Sequence, residues 1–154
     1  MNCSYIQKYY YLLILGFALC FSSQALSQTL TITGTAPVLI INAGTPGGQL
    51  TSVTNQVCRL TYGTPTNPRQ NWRITVNTDN TSPLYTLTVV ALNPTRGTAE
   101  AAVTLNSSTA MNFITAIPRN RTGMRCNLLY TASATFDQGI GTDLHRVTYT
   151  LLTP

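Results

Sequence analysis

Apolar residues recur at every second position in several short runs of this chain, and that period limits the elements the runs can form. A period of two places successive side chains on opposite faces of an extended strand. The clearest run has an apolar face made of Cys126, Leu128, Tyr130, Ala132, Ala134 and Phe136. The intervening residues, among them Asn127 and Thr131, are mostly polar. The pattern predicts a half-buried strand with Cys126 on its core side.

The same period marks further strands, and no window of the chain has a helical period. Strand candidates are residues 29–33, 36–41, 50–62, 72–76, 85–91, 101–105, 111–117, 126–136 and 145–151. Turn signals rich in Gly, Pro and Asn separate these runs at intervals of about 8 to 12 residues. We therefore expect an all-β protein, an antiparallel Ig-like β-sandwich of about eight or nine strands, with a closed barrel as the alternative.

The beginning of the chain has the order of segments found in a secretory signal peptide. A basic residue precedes an apolar run at residues 11–21, and small and polar residues follow that run. The run is shorter than the ~20 residues of a membrane-spanning helix. We expect a signal-peptide helix at residues 1–27, cleaved after Ser27 or alternatively after Ala25, and a single β-sandwich domain at residues 28–154 without a membrane span.

Charged residues are scarce, at 8% of the chain against roughly 25% in an average soluble domain. Beyond the predicted leader the chain has eight arginines, no lysine and four acidic residues, which gives a net charge of +4. The polar surface must therefore be built mostly from Thr, Asn, Ser and Gln. Such a surface suits the solvent-facing strands of exported β proteins and is unusual for a cytosolic enzyme.

Two cysteines, Cys58 and Cys126, remain once the predicted leader is removed. Exported domains fold in an oxidising compartment, where two cysteines usually pair, so we predict a disulfide between Cys58 and Cys126. Two buried thiols on neighbouring strands are the alternative. Because His145 is the only histidine, the sequence offers no convincing ligand set for a metal, and we expect neither a metal nor a cofactor.

An acid and a histidine near the end of the chain are the nearest approach to catalytic residues. Asp143 and His145 are two positions apart and would share one face of an extended strand. No serine or cysteine stands in a nucleophile motif, so we favour a solvent-facing pair over a catalytic dyad. The loop from Asp137 to Asp143 loosely resembles a calcium-binding loop but lacks its middle acidic ligands and closing glutamate, which favours a hairpin turn. We expect no catalytic residue.

Three arginines, Arg119, Arg121 and Arg125, form a local basic cluster and are the predicted ligand-binding residues. A planar guanidinium pairs well with carboxylate, phosphate or sulfate, so the cluster could dock an anionic glycan or a neighbouring subunit. A solvated connecting loop is the alternative. Because no aromatic residues are interleaved with the arginines, the cluster does not indicate nucleic-acid binding.

Aromatic residues raise the question of a sugar-stacking platform. Trp72, Tyr85, Tyr130 and Tyr149 fall on the strand faces assigned to the core. We therefore expect these side chains to pack in the interior rather than to present their rings to a ligand.

Both ends of the predicted mature chain resemble a known family. In the first predicted strand, apolar or small residues occupy every second position, namely Leu30, Ile32, Gly34, Ala36 and Val38. This resembles the donor strand of bacterial chaperone-usher pilins, whose alternating apolar residues fill the open groove of the next subunit. The terminal run around Tyr149 is similar to the pilin C-terminus, whereas Pro37 and the wide cysteine spacing depart from the pilin pattern. The alternative is that residues 29–41 are the first strands of a complete sandwich.

The leader, the low charge and the Thr-rich strands favour an exported, non-catalytic β-sandwich with a structural or adhesive role at a bacterial cell surface or in an extracellular assembly. A polysaccharide- or anion-binding module is the second hypothesis, and a secreted hydrolase is the third. Expected partners are further copies of the chain, other surface proteins or polysaccharide, but not nucleic acid. The mature protein is expected to be secreted or held at the surface, with the periplasm as the alternative location.

Overall fold

The computed structural model describes residues 27–44, 50–65 and 71–153. The predicted signal peptide lies outside these residues except for Ser27. Nine strands occur in the described residues: β1 Thr29–Thr33, β2 Val53–Thr64, β3 Trp72–Thr78, β4 Thr86–Leu92, β5 Thr98–Ala99, β6 Val103–Thr104, β7 Met111–Ile117, β8 Arg121–Ser133 and β9 Val147–Leu152. A single 3-10 turn spans Phe136–Gln138. None of the helical segments in the described residues has the length and apolarity needed to cross a bilayer.

The strands form two antiparallel sheets that pack face to face. The larger sheet has the order β1-β2-β8-β4-β6, and the smaller sheet has the order β5-β7-β3-β9. Side chains from both sheets meet in one apolar core, in which Phe113 of β7 and Tyr149 of β9 have ring centroids 5.2 Å apart. The prediction of an all-β antiparallel sandwich is therefore confirmed, and the two separate sheets exclude the closed barrel.

The alternation of β8 is the clearest link between sequence and packing. Cys126, Leu128 and Tyr130 are buried against the smaller sheet, whereas Arg125 is exposed on the outer face, as the period of two predicts. The prediction is wrong at Phe136, which is 52% exposed. The strand ends at Ser133, and Phe136 begins the 3-10 turn, so the alternation no longer directs its side chain inward.

Two predicted strands differ from those observed, and one observed strand was not predicted. Residues 36–41 form no strand, and Pro37 within them has no N–H to donate to a neighbouring strand. The candidate at residues 101–105 shortens to β6, and β5 was not predicted because two residues carry no periodic signal. These differences lie at sheet edges, where fewer cross-strand contacts define a strand.

Candidate functional site

Two long neighbouring strands bring a pair of arginines together on the outer face of the larger sheet. In the β2–β8 register, Arg59 lies opposite Asn127, and Thr61 lies opposite Arg125. Arg59 and Arg125 are therefore diagonal neighbours, and diagonal Cα atoms in antiparallel sheets are about 7–8 Å apart. Both residues are exposed because the adjacent positions, Leu60 and Cys126, point into the core. Two guanidinium groups can thus reach one ligand.

The loop between β4 and β5 forms a wall beside this arginine pair. Asn93 begins the loop with a φ of 49°, which turns the chain out of β4. The backbone N–H and the hydroxyl of Thr95 both donate to the carbonyl of Arg125, at 2.9 Å and 3.0 Å. The buried Tyr62 donates its hydroxyl to the carbonyl of Arg96 at 2.6 Å. The loop is therefore fixed to both β8 and the core before any ligand arrives.

The strands and the loop enclose a small open cleft of about 150 Å³. Its polar lining comes from Arg59, Asn93, Thr95, Arg125 and Asn127. The Nε of Arg59 donates to the side-chain oxygen of Asn127 at 3.4 Å, which holds the guanidinium on the sheet surface. The structure records no ion pair for either arginine with an acid of the described residues. We call these five residues the basic cleft, and its chemistry is that of binding an anion.

The predicted arginine cluster is divided by the fold. Arg125 belongs to the basic cleft, whereas Arg121 lies four residues earlier on β8, about 13 Å away along the strand. Arg119 lies in the turn that connects β7 to β8 and interacts with another group. Arg119 and Arg121 do not line the cleft. The site therefore shares one of the three arginines that the sequence indicated.

Arg59 was missed because its partner strand is distant in the sequence. One signal could have found it: each of the two cysteines predicted to be neighbours has an arginine beside it, at Arg59 and Arg125. If the cysteines lie on adjacent strands and face the core, the period of two sends both arginines to the same outer face. The pairing of β2 with β8 fulfils that condition.

The structure has Cys58 and Cys126 as free, buried thiols rather than as a disulfide. Cys58 lies opposite Leu128 and Cys126 lies opposite Leu60, so the two cysteines are offset by two positions in the register. This diagonal offset, about 7–8 Å between Cα atoms, exceeds the usual disulfide range of about 4.4–6.8 Å. The Cys58 thiol instead donates to the carbonyl of Thr35 at 3.2 Å. Burial raises the pKa of the Cys126 thiol to about 11 and also raises the pKa of Cys58.

The side chains of Asp143 and His145 connect the segment that leads into β9 to other parts of the sandwich. The carboxylate of Asp143 accepts the backbone N–H of Tyr85 at 2.7 Å. The Nδ1 of His145 lies 3.2 Å from the buried hydroxyl of Thr78. Each side chain thus has a different partner on the β3–β4 side of the sandwich, and the acid is not aimed at the histidine ring. The geometry favours the structural interpretation of both residues.

The glycine-bearing loop from Asp137 to Asp143 contains the 3-10 turn and then returns along Tyr85. Asp137 is exposed, Asp143 is held by the Tyr85 N–H, and the carbonyl of Gly139 accepts the Tyr85 hydroxyl at 3.2 Å. Within residues 27–44, 50–65 and 71–153, no three His, Cys, Asp or Glu side chains come together in a group that could hold a metal ion.

Large aromatic side chains lie in the interior, as predicted for Trp72, Tyr130 and Tyr149. The hydroxyls of Tyr130 and Tyr149 are 2.9 Å apart and connect the two sheets inside the core. Desolvation raises the pKa of both phenols, most strongly that of Tyr149, and raises the pKa of the buried Tyr62 to about 12. Tyr85 is only half-buried, because it lies beside the exposed loop rather than between the sheets. These rings pack the core and do not form a stacking platform.

Comparison of the chain with protein-family models, with curated protein sequences and with solved structures finds no match. Its function is therefore inferred from its own residues.

Proposed function

We propose that this chain is an exported, non-catalytic β-sandwich with a structural or adhesive role at the bacterial cell surface or in an extracellular assembly. The observation that carries the proposal is a set of exposed apolar side chains in β1, in the segment that follows β1 and in the neighbouring strand β2. Ile32, Val38, Ile40 and Val57 are 46%, 75%, 66% and 53% exposed. Three of the four lie within residues 32–40, and exposed apolar groups that occur together are typical of association surfaces.

The backbone at the β1 edge favours the same role. β1 pairs with β2 on one side only, so its other side presents backbone N–H and C=O groups that another strand can bind. Its sequence has threonines on the outer face and apolar residues on the inner face, as a pairing strand requires. A second copy of the chain is the partner we propose, because its β1 has the same alternating pattern and the few charges nearby would oppose contact only weakly.

The hydrogen-bond contacts of two acidic residues and the histidine support a non-catalytic role. Asp143 binds a backbone N–H, His145 contacts the Thr78 hydroxyl, and the carboxylate of Asp79 accepts the backbone N–H of Arg146 at 2.9 Å. These contacts stabilise loops rather than activate a nucleophile. A secreted hydrolase is therefore not favoured by any contact of these residues.

Size measurement tests the association proposal. Light scattering coupled to size-exclusion chromatography and electron microscopy should find dimers or larger assemblies of the mature chain, residues 28–154, at increasing concentration. The double variant Val38→Thr with Ile40→Thr should shift the assemblies toward monomer. A control, Ile140→Thr with Leu144→Thr, removes apolar side chains that are even more exposed, at 106% and 87%, on a different loop. A wild-type chain that stays monomeric, or assemblies that respond only to the control, would contradict the proposal.

A second candidate function, a polysaccharide- or anion-binding module, is favoured by the basic cleft. The cleft is on the outer face of the larger sheet and is separate from the core-facing residues of β1. Association and ligand binding can therefore be measured independently in one protein.

A further inference from the structure

The basic cleft brings together two of the eight arginines in residues 28–154. Three of the four acids have their carboxylates engaged outside the cleft: Asp79 with the Arg146 N–H, Asp143 with the Tyr85 N–H, and Glu100 with the Thr115 hydroxyl at 2.9 Å. The fourth acid, Asp137, lies on the exposed loop after β8. Two arginines without an acidic partner remain together on one sheet face, where an external anion can supply the missing charge.

The cleft is fixed before a ligand binds. Arg59 and Arg125 project from the paired strands β2 and β8, and the Arg59 Nε is already directed by Asn127. The opposite wall is held by the two donations of Thr95 to the Arg125 carbonyl. Side chains on rigid elements lose less conformational entropy on binding than side chains on free loops. An oxyanion can therefore be held by two guanidinium groups at a low ordering cost.

The surroundings of the cleft match a sugar better than a nucleobase. In the strand register, Thr31, Thr61 and Arg125 form one row across the sheet, and Thr33, Arg59 and Asn127 form the next. These rows place hydroxyl and amide groups beside the arginines on a flat polar surface, and such groups can bind sugar hydroxyls. The lining contains no aromatic side chain on which a base could stack.

We propose that Arg59 and Arg125, together with Asn93 and Asn127, bind the carboxylate or sulfate groups of an acidic polysaccharide. The inference rests on the adhesive role proposed above and gives that role a ligand class and a site. The guanidinium pair binds the anionic group, and the amides and the neighbouring threonines bind the hydroxyl groups of the sugar. Thr31 and Thr33 of β1 extend the polar surface beside the arginines, so the polysaccharide can continue across that side of the sheet.

Isothermal titration of the mature chain tests the proposal with five probes of defined chemistry. A heparin hexasaccharide carries sulfate, an oligogalacturonate of similar length carries carboxylate, a dextran oligomer is neutral, sodium sulfate supplies the free anion, and a single-stranded oligonucleotide supplies phosphate with bases. We expect binding of one or both acidic oligosaccharides, no binding of dextran, and affinities for sulfate alone and for the oligonucleotide at least tenfold weaker. Raising the salt concentration should weaken the binding because the arginines are exposed.

Arginine variants locate the site. Arg59→Ala and Arg125→Ala should each weaken binding by roughly tenfold or more, as expected for loss of a charge-assisted hydrogen bond. Arg59→Lys keeps the charge but loses the planar fork, so its affinity should be intermediate. Arg121→Ala, on the same strand but outside the cleft, is the matched control and should stay within about twofold of the wild type. Circular dichroism and the melting temperature establish that each variant is folded.

Each outcome bears on the inference. Equal binding of dextran, tighter binding of the oligonucleotide, a loss confined to Arg121→Ala, or no binding of either acidic oligosaccharide would overturn it. If the acidic oligosaccharides do not bind but the mature chain still assembles through its N-terminal edge, the inference fails while the structural role stands. If the sugars bind to a monomer that never assembles, the self-association proposal fails while the cleft assignment stands.

Discussion

Inward-facing apolar side chains are exposed at the N-terminal edge of the larger sheet and buried at its centre. Ile32 of β1 lies directly opposite Leu60 of β2, and both face the inner side of the sheet. Ile32 is 46% exposed, whereas Leu60 is 0% exposed. The difference is not in the strand pattern, because both residues occupy inward positions of adjacent strands.

The smaller sheet accounts for this difference. It covers β8 and the adjoining part of β2, where Tyr130 meets Tyr149, but it ends at the edge strand β9. β1 lies beside that edge, where the side-chain amide of Gln28, the residue before β1, donates to the Leu151 carbonyl. Alternation therefore determines which side chains face inward, while the extent of the opposite sheet determines which of them are buried. The uncovered residues are available to a partner.

The largest expected effect tests this contrast directly. Leu60→Ala should lower the free energy of unfolding by about 2–5 kcal/mol because it leaves a cavity in packed surroundings. Ile32→Ala should cost about 1 kcal/mol or less, since the exposed site loses little packing. Urea unfolding of both variants and the wild type measures the two values. Equal losses would mean that the N-terminal edge is as well covered as the centre.

The hydroxyls of Tyr130 and Tyr149 form a polar contact inside that apolar core. Tyr130→Phe should lower the free energy of unfolding by about 1–3 kcal/mol, because it leaves the Tyr149 hydroxyl buried without its partner. Adding Tyr149→Phe should recover part of the loss, since both polar groups are then absent. Urea unfolding of the single and double variants measures the coupling, with Tyr85→Phe as a half-buried control. Additive losses in the double variant would contradict a direct hydrogen bond.

The sequence could predict on which face of a strand each side chain lies, but not whether the opposite sheet covers that side chain. The alternation in β8 correctly placed Cys126, Leu128 and Tyr130 inside, because each such residue is set by the local geometry of one strand. It placed Phe136 inside as well, because no local signal showed that the strand ends before it. The exposure of Ile32 depends on how far a sheet formed by later residues extends, which is a property of the whole fold.

The candidate site was predictable only in part for a related reason. Arg119, Arg121 and Arg125 are close in the sequence, and a local search finds them, although the extended geometry of β8 separates Arg121 from Arg125. Arg59 approaches Arg125 through the pairing of two strands with a long stretch of chain between them. Single-chain patterns do not specify which strands pair, so the second arginine of the cleft could be found only from the fold.

The turn after β1 offers a smaller and more local test of the edge. Gly34 has a φ of 113°, and a Cβ at this position would collide with the Val57 carbonyl oxygen of β2. Gly34→Ala should lower the unfolding free energy by about 1–2 kcal/mol and speed hydrogen exchange of the β1 amides relative to those of β8. Gly123→Ala is the control, because it shares a positive φ, 67°, but has no atom within 4 Å of the added Cβ. Unchanged exchange in β1 would show that the strand does not depend on this close approach.

The last test applies only at alkaline pH and concerns the buried interior of the protein. Burial raises the pKa of Cys126 from its ordinary value of 9.0 to about 11, so folding favours the neutral thiol. The stability that this thiol contributes is fully present below pH 9 and is lost as the pH rises toward 11. Urea unfolding at pH 7 to 11 should therefore give a steeper decline for the wild type than for Cys126→Ala. The variant also loses core packing, but that loss is nearly independent of pH, so the slope is the decisive quantity.

Tyr62, with its pKa raised to about 12, should leave a residual decline in both proteins above pH 10. A Cys58–Cys126 disulfide has no thiol to titrate, whereas Cys126→Ala would leave Cys58 as a free thiol with a raised pKa. A wild-type slope that is no steeper than the slope of the variant would therefore contradict the free thiols and favour the disulfide that export predicts.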